Sequence, residues 1–387
     1  MNAVPLAVLA AAAVAVYAYA GYPLLLALLA RARPRRRAHV LHEWPRISVS
    51  VPAYNEERQI AAALDAILAT DYPPGLRQVV VVSDASTDGT DAIVRGYADQ
   101  GVVLVRMPER GGKTAAENAA APFLTGEIVV NTDASVRVAP GALMALVQAL
   151  ADPAVGVASG RDVSVAAPAA NANAGESGYV GYEMDVRRLE SRMGGIVGAS
   201  GCLYAIRARL HRLPLPEGLS RDFAAVLLAR RAGFRAVSVE AAVCTVPRAG
   251  SLRAEYRRKV RTMSRGMRTL AHLRELLNPI RHGAFAWMLA SHKVARWLVP
   301  WALALAFSAV VAQAPDQPWA MWIAAAGGVL LANAGLALAL PSERLPRAMA
   351  IPAYVVLGNL AAIDAGIRAV AGRGYAVWEP TRREAVA

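Results

Sequence analysis

The chain has 387 residues, 56% hydrophobic and 18% charged, with 42 Lys+Arg against 29 Asp+Glu and a formal net charge of +13. Soluble domains carry about 25% charged and about 45–50% apolar residues, so this composition excludes an ordinary soluble protein, and it is far too apolar for a disordered one. Two cysteines exclude a disulfide framework and six scattered histidines a paired zinc site; the basic excess points to anionic lipid, a phosphate-bearing substrate or nucleic acid.

Residues Val4 to Ala30 are uncharged and almost wholly apolar, and about 20 such residues cross a bilayer. Arg31, Arg33, Arg35, Arg36 and Arg37 follow at once. A signal peptide carries its charges before the apolar run, so this segment reads as an anchor running from outside to inside. The region beyond it is then expected at the cytoplasmic face of the inner (plasma) membrane.

From about Ile47 to Val246, short Val-rich runs alternate with amphipathic stretches. The runs Ile47–Pro52, Val79–Ser83, Val102–Arg106, Ile128–Asp133 and Val155–Ser159 read as strands. Helical patterns lie near Glu57–Ala69, Gly89–Ala98, Lys113–Ala121 and Gly141–Leu150. This alternation predicts an α/β domain with a mostly parallel sheet, whose ligands bind at the carboxyl ends of the strands. Ala254–Leu277 is basic and amphipathic, suited to a membrane surface or to an ordinary basic helix. Three apolar segments follow, near Phe285–Ala312, Trp319–Leu340 and Met349–Val370. The expected division is an anchor (1–31), a catalytic domain (45–250), interface helices (251–280), about three membrane segments (281–372) and a tail (373–387). Counting spans puts the tail outside, yet it holds Arg373, Arg382 and Arg383, against the positive-inside rule. One C-terminal segment is then either re-entrant or lies on the surface.

Polar residues gather where the sheet should open. The first strand ends in Pro52-Ala53-Tyr54-Asn55-Glu56-Glu57, the second in Ser83-Asp84 through Asp88-Gly89-Thr90, the fourth in Asn131-Thr132-Asp133-Ala134-Ser135. An acidic residue after a strand can accept hydrogen bonds from a base or ribose. Another can help hold Mg²⁺ or Mn²⁺, which prefer oxygen ligands and bridge phosphates. A single such Asp is as readily a helix N-cap, and Asp88 reads that way. Arg110-Gly111-Gly112-Lys113-Thr114 offers close backbone approach and a cation for phosphate. It is no P-loop, since Met107 stands where the first Gly would be, and no dinucleotide fingerprint follows the first strand. Gly198 to Arg207 reads as a tight turn entering a strand, and Asp222 opens a helical pattern.

In this order, these pieces resemble the membrane-integrated family 2 glycosyltransferases, whose relatives include hyaluronan, chitin-oligosaccharide, poly-N-acetylglucosamine and cellulose synthases. The resemblance covers about Pro45 to Pro300. It implies a GT-A type, Rossmann-like nucleotide-sugar domain inserted between transmembrane helices. Pro52, Tyr54, Asn55 and Glu56 are then expected to line the nucleotide site, Asp84 to contact uracil, and Lys113 to lie near the nucleotide. Asp133 would meet the ribose and the metal-bound diphosphate, with Ser135 where a second metal-binding Asp is common. Gly201 and Cys202 would border the acceptor, and Asp222 would be the catalytic base. Arg258 and Arg261 fit the arginines of the last motif, beside the leaving diphosphate. Arg221 stands where an acidic residue is usual and Thr262 where polymer synthases carry Trp. The expected activity is inverting transfer from a UDP-sugar, with Mg²⁺ or Mn²⁺, to a polysaccharide or glycolipid. Alternatives are a single transfer to a membrane lipid (ceramide, diacylglycerol or polyprenyl phosphate) and, from another class, a non-enzymatic scaffold or transporter. The partners expected are donor, acceptor and bilayer, without nucleic acid, because the basic residues flank membrane segments rather than aromatic stacking residues.

Overall fold

The computed structural model describes residues 3–34, 39–165, 174–247, 251–341 and 345–372. Arg35, Arg36, Arg37, Arg373, Arg382 and Arg383, used above for orientation, lie outside the described residues.

A long apolar helix, α1 (Val4–Arg31), precedes the α/β domain. The domain then runs β1 (Ile47–Ala53), α2 (Ile60–Leu68), β2 (Arg77–Ser83), α3 (Thr90–Arg95), β3 (Val102–Arg106), α4 (Lys113–Ala120), β4 (Ile128–Thr132), β5 (Arg137–Val138), α5 (Ala142–Ala149) and β6 (Val155–Val165). It continues through α6 (Ala174–Met193), β7 (Leu203–Arg207), α7 (Arg221–Arg231) and β8 (Arg235–Pro247). The amphipathic helix α8 (Leu252–His272) leads to three more apolar helices: α9 (Ala284–Gln313), α10 (Pro318–Ala339) and α11 (Arg347–Val370).

The described strands form one sheet in the order β3-β2-β1-β4-β7-β6-β8-β5. β3, β2, β1 and β4 are mutually parallel. Helices cover both faces, so these strands are near-continuous apolar runs rather than alternating ones. Val49, Val51, Val79, Val81 and Val130 face α2 and α5, while Val80, Val82 and Val129 face α4 and α7. The expectation of a mostly parallel sheet holds for this half and for β6 with β8, which also pair parallel. β7 runs antiparallel to both β4 and β6, and β5 antiparallel to β8. The reversal has a consequence for the site: Leu203, the first residue of β7, pairs with Thr132, the last of β4, so the loop entering β7 lies beside Asp133.

A separate apolar cluster joins the domain to the long helices. Tyr22 and Leu26 of α1 meet Val186 of α6, Phe223 and Leu227 of α7, and Phe285 and Leu289 of α9. On the far side of α8, Leu252 meets Tyr354 and Leu357, and Val260 meets Ala361 and Ala365, so α11 runs along α8 in the same direction. Elsewhere the long helices turn large apolar side chains outward, Leu305 and Trp322 each 72% exposed. Such continuous apolar exposure on helices long enough to cross a bilayer marks a multi-pass membrane protein.

Candidate active site

The site is built at the carboxyl ends of β1, β2 and β4, closed by the loop entering β7 and the first turn of α7. The ends of β1 and β2 are tied together. Asn55, in the left-handed region at φ 52°, receives the Thr87 N–H on its Oδ1 at 2.8 Å and donates its own N–H to Ser86 Oγ at 3.2 Å. The Glu56 N–H donates to Thr90 Oγ1 at 2.8 Å. Asp88 Oδ1 accepts the Thr90 N–H at 3.0 Å from one position before Gly89, the N-cap residue of α3. Pro52 lies in β1 opposite Val82, beyond the last pairing of β1 with β4 at Ser50. Tyr54 stacks under Arg110, whose guanidinium carbon is 3.8 Å from the ring centroid.

Asp84 is 2% exposed and accepts the backbone N–H groups of Gly111 and Gly112 at 2.7 and 2.8 Å. It therefore holds the Gly-Gly-Lys turn against the end of β2. Gly112 sits at φ 89° immediately before α4, a conformation that favours glycine. The turn aims Lys113 across the strand ends, where its ammonium meets Asp133 Oδ1 and donates to the Gly201 carbonyl at 3.0 Å. Burial alone would lower the Lys113 pKa, but Asp133, Glu117 and Asp222 outweigh it and hold the amine above the ordinary lysine value. On the other side of Gly201, Asp222 approaches so closely that a Cβ there would stand 3.0 Å from its Oδ2. Ser220 is the N-cap residue of α7, and its hydroxyl donates to Asp222 Oδ1. Asp222 thus sits in the first helical turn, where a carboxylate is favoured by the helix dipole, rather than at the cap itself.

Cys202 is half-buried, and its N–H donates to Ser200 Oγ, which in turn donates to Asp162. The Cys244 thiol lies 3.5 Å from the same Asp162 oxygen, and both cysteines are free.

Two placements differ from the reading of the last motif. Arg258 pairs with Glu255 at 2.7 Å and with Glu176 of α6 at 2.6 Å, which occupies its guanidinium. The α8 residue that reaches the site is Arg265, seven positions later. It donates to Thr114 Oγ1 at 2.6 Å and to the Glu217 carbonyl at 3.1 Å. Arg261 also lies on α8, half-buried.

Sequence reasoning missed Glu117. It is 1% exposed, one helical turn after Lys113, with neither carboxylate oxygen in a hydrogen bond, and Arg221 Nε lies 3.5 Å away. Burial raises its pKa, against the opposing pull of Lys113 and Arg221. The available signal was Arg221 itself, a cation where the resemblance leads one to expect an acid. The opposite charge stands on α4 instead. Arg221 also binds Asn118 and the His211 carbonyl, and His211 is pushed down to about 3 by burial and by Arg221 and Arg212.

Among the described residues no group of three or more His, Cys, Asp or Glu gathers as a metal site. A Mg²⁺ or Mn²⁺ at a phosphate site needs only one or two carboxylates, the remaining ligands coming from phosphate and water. Asp133, with a side chain 18% exposed and Lys113 on one oxygen, fits a cation delivered with a diphosphate. Ser135 is 4% exposed and adds at most a hydroxyl.

The Glycosyl transferase family 2 profile matches residues 48–211. Among solved structures, the mannosyltransferase PcManGT from Pyrobaculum calidifontis, in complex with GDP-Man and Mn²⁺, superposes with a TM-score of 0.69 at 28% identity. That superposition covers 93% of this chain and 97% of that one. An N-acetylglucosaminyltransferase of Rhizobium sp. (strain N33) is 35% identical over 122 residues, 30% of this chain and 27% of that protein. A beta-monoglucosyldiacylglycerol synthase of Nostoc sp. (strain PCC 7120) is 30% identical over 170 residues, 43% of this chain and 36% of that protein. The chain thus spans well under two thirds of these curated relatives' length. With the GT-A-like mixed sheet and the strand-end polar cluster inside the matched segment, residues 48–211 belong to a family 2 glycosyltransferase catalytic domain, carried here among long apolar helices.

Proposed function

We propose that the chain is an inverting glycosyltransferase that moves a sugar from a nucleoside diphosphate donor to a hydroxyl at the cytoplasmic membrane face. The observation that carries this reading is the convergence of Lys113, Asp133 and Asp222 on Gly201, at the strand ends and beside the long apolar helices. Pro52, Tyr54, Asn55 and Glu56 form the nucleoside wall, with Asp84 beneath it. Lys113, Asp133 and Arg265 face the diphosphate, Arg265 taking the part first read for Arg258. A Mg²⁺ or Mn²⁺ bound with the donor would neutralise diphosphate charge, and Asp133 would hold it. Asp222 accepts the acceptor's proton as the hydroxyl oxygen attacks the anomeric carbon, and the bond to the diphosphate breaks on the opposite face. Gly201 and Cys202 border the acceptor. The donor first read is a UDP-sugar; the solved neighbour's GDP-Man makes guanosine donors the necessary comparison.

The test is transfer from a panel of UDP- and GDP-sugars by purified protein in lipid. Asp222→Asn should lower kcat about 10²- to 10⁴-fold, the usual contribution of a positioned base, with donor affinity unchanged. Retained turnover would remove Asp222 from its role.

A lipid rather than polysaccharide acceptor is the second reading. Phe223, next to Asp222, belongs to the same apolar cluster as α1 and α9, so the base adjoins the membrane helices directly. A single product rather than a ladder would support it. We take α11, which packs along α8, as the C-terminal segment that departs from simple crossing, a reading that would relieve the charge conflict of the tail.

A further inference from the structure

Lys113 and Glu117 stand four residues apart on α4, the spacing at which a lysine and a glutamate ordinarily pair on one helix face. Here they make no salt bridge among the described residues. The ammonium goes instead to Asp133 and to the Gly201 carbonyl, the latter at 3.0 Å. Glu117 nonetheless needs a cation. It is 1% exposed, and burial works against its charge, with Lys113 and Arg221 the two cations that offset burial. Lys113 cannot serve both Asp133 and Glu117 at full strength. The contest is settled by Arg221, the first residue of α7, whose Nε lies 3.5 Å from Glu117 Oε2.

Arg221 is held in that place by neutral partners. Its Nη1 donates to the His211 carbonyl at 3.0 Å and its Nη2 to Asn118 Oδ1. Asn118 Nδ2 donates to the Leu215 carbonyl at 2.8 Å, and Thr114 Oγ1 to the Leu219 carbonyl at 2.9 Å. Thr114, Glu117 and Asn118 are spaced three and four residues apart, so one face of α4 carries the chain from Leu215 to Arg221. Arg221 is 7% exposed, and Glu117 is the carboxylate in salt-bridge contact with it among the described residues. Asp222, the next residue, faces Gly201 and takes the Ser220 hydroxyl. Two cations are thus sorted between two carboxylates. Glu117 with Arg221 lies behind the site, and Asp133 with Lys113 lies in it.

We infer that Arg221 is a positioning residue for Lys113: by holding the Glu117 carboxylate, it leaves the Lys113 ammonium to Asp133 and to the donor diphosphate. The inference rests on the glycosyl-transfer reading, which places the diphosphate at Lys113. Without a cation at position 221, Glu117 is a buried carboxylate with Lys113, one helical turn back, as the other cation acting on it. The flexible four-carbon stem of lysine lets the ammonium swing from Asp133 to Glu117. Arg221, which touches no substrate, then acquires a specific effect on donor affinity. That effect has an equally specific cure, the removal of the carboxylate that Arg221 holds.

The experiment measures nucleotide binding to the full-length protein in lipid nanodiscs by calorimetry, with UDP and Mn²⁺ and with GDP and Mn²⁺, and follows Tm on the same samples. Arg221→Gln should weaken binding of whichever nucleotide the wild type takes by about 10- to 100-fold, the size of lost hydrogen bonds to a charged group. Adding Glu117→Gln should restore the affinity to within about twofold of wild type, because no carboxylate is left to claim Lys113. Arg221→Lys keeps a cation beside Glu117 but not the fork to His211 and Asn118, so it should lower Tm and keep the affinity. A purely structural role predicts the reverse, with the double variant at least as weak as Arg221→Gln and Arg221→Lys losing affinity along with Tm. Either of those results, or unchanged binding by Arg221→Gln, would overturn the inference. If Arg221→Gln does not fold, the double variant and Arg221→Lys decide the matter, full affinity in both supporting the inference and loss in either overturning it. Wild-type protein that binds neither nucleotide defeats the transferase reading itself, whereas nucleotide bound by the wild type without recovery in the double variant defeats this inference alone.

Discussion

Asp84 lends itself to a quantitative test, because two roles for it make different predictions. Its carboxylate accepts two backbone N–H groups, from Gly111 and Gly112, in a position only 2% exposed. Asn at this position keeps one acceptor oxygen and turns an NH₂ toward the second N–H, leaving that donor unsatisfied with no route to water. A hydrogen bond to a charged group contributes about 1.5–3 kcal/mol, and an orphaned buried donor costs about 1–3 kcal/mol. Asp84→Asn should therefore destabilise the catalytic domain by about 2–3 kcal/mol, which for a domain of this size is a Tm lower by about 5–10 °C. The loosened turn should also release Lys113 from Asp133 and weaken donor binding. Thermal unfolding followed by Trp fluorescence, with donor calorimetry on the same preparation, measures both. An unchanged Tm together with lost discrimination between uridine and guanosine donors would refute the argument, because it would mean that the carboxylate reads the base rather than holding the turn.

Three further outcomes follow from the same geometry. Lys113→Gln removes the ammonium between Asp133 and Gly201 and should weaken donor affinity about 10- to 100-fold by calorimetry. Glu117 holds its proton more tightly folded than unfolded, so the wild-type protein should lose stability as pH rises from the ordinary glutamate value through the raised one. Glu117→Gln should flatten that slope, as urea unfolding across that range would show. Arg258→Gln leaves Glu176 and Glu255, 2% and 5% exposed, without their guanidinium, and should cost about 3–5 kcal/mol of stability while the folded fraction keeps its donor affinity.

The sequence made the parallel half of the domain legible because its strands are Val-rich runs that stop at a polar residue, and all but the edge strand β3 are largely buried on both faces. Asp84, Lys113 and Asp133 could be placed because strand ends in a parallel sheet share one edge. The mixed half was harder to read. β8 mixes buried and exposed residues along 13 positions, and its main, parallel partner β6 lies about 80 residues earlier. α6 was missed for a different reason. Its Glu176, Glu183 and Glu190 recur every seven residues, a spacing that marks one helix face, and a carboxylate stripe ordinarily reads as solvated. Here that face is buried, because its partners Arg258, His292 and Arg296 come from helices far along the chain. Likewise, the Arg258–Arg261 motif match fixed a helix face but not a position along α8: Arg265, two turns further on the same face, is the residue that reaches the site.

The buried glutamates of α6 also bear on how the protein is made. Glu190 and Glu183 wait for His292, which is 102 and 109 positions further on. At roughly 5–20 residues per second of synthesis, α6 emerges some 5–20 s before α9 can supply that imidazole. During this interval its acidic face must remain in water. The membrane-facing side of the catalytic domain is therefore sealed only when α9 has been inserted. A ribosome stalled before α9 would release a domain with its sheet complete and its acceptor side open.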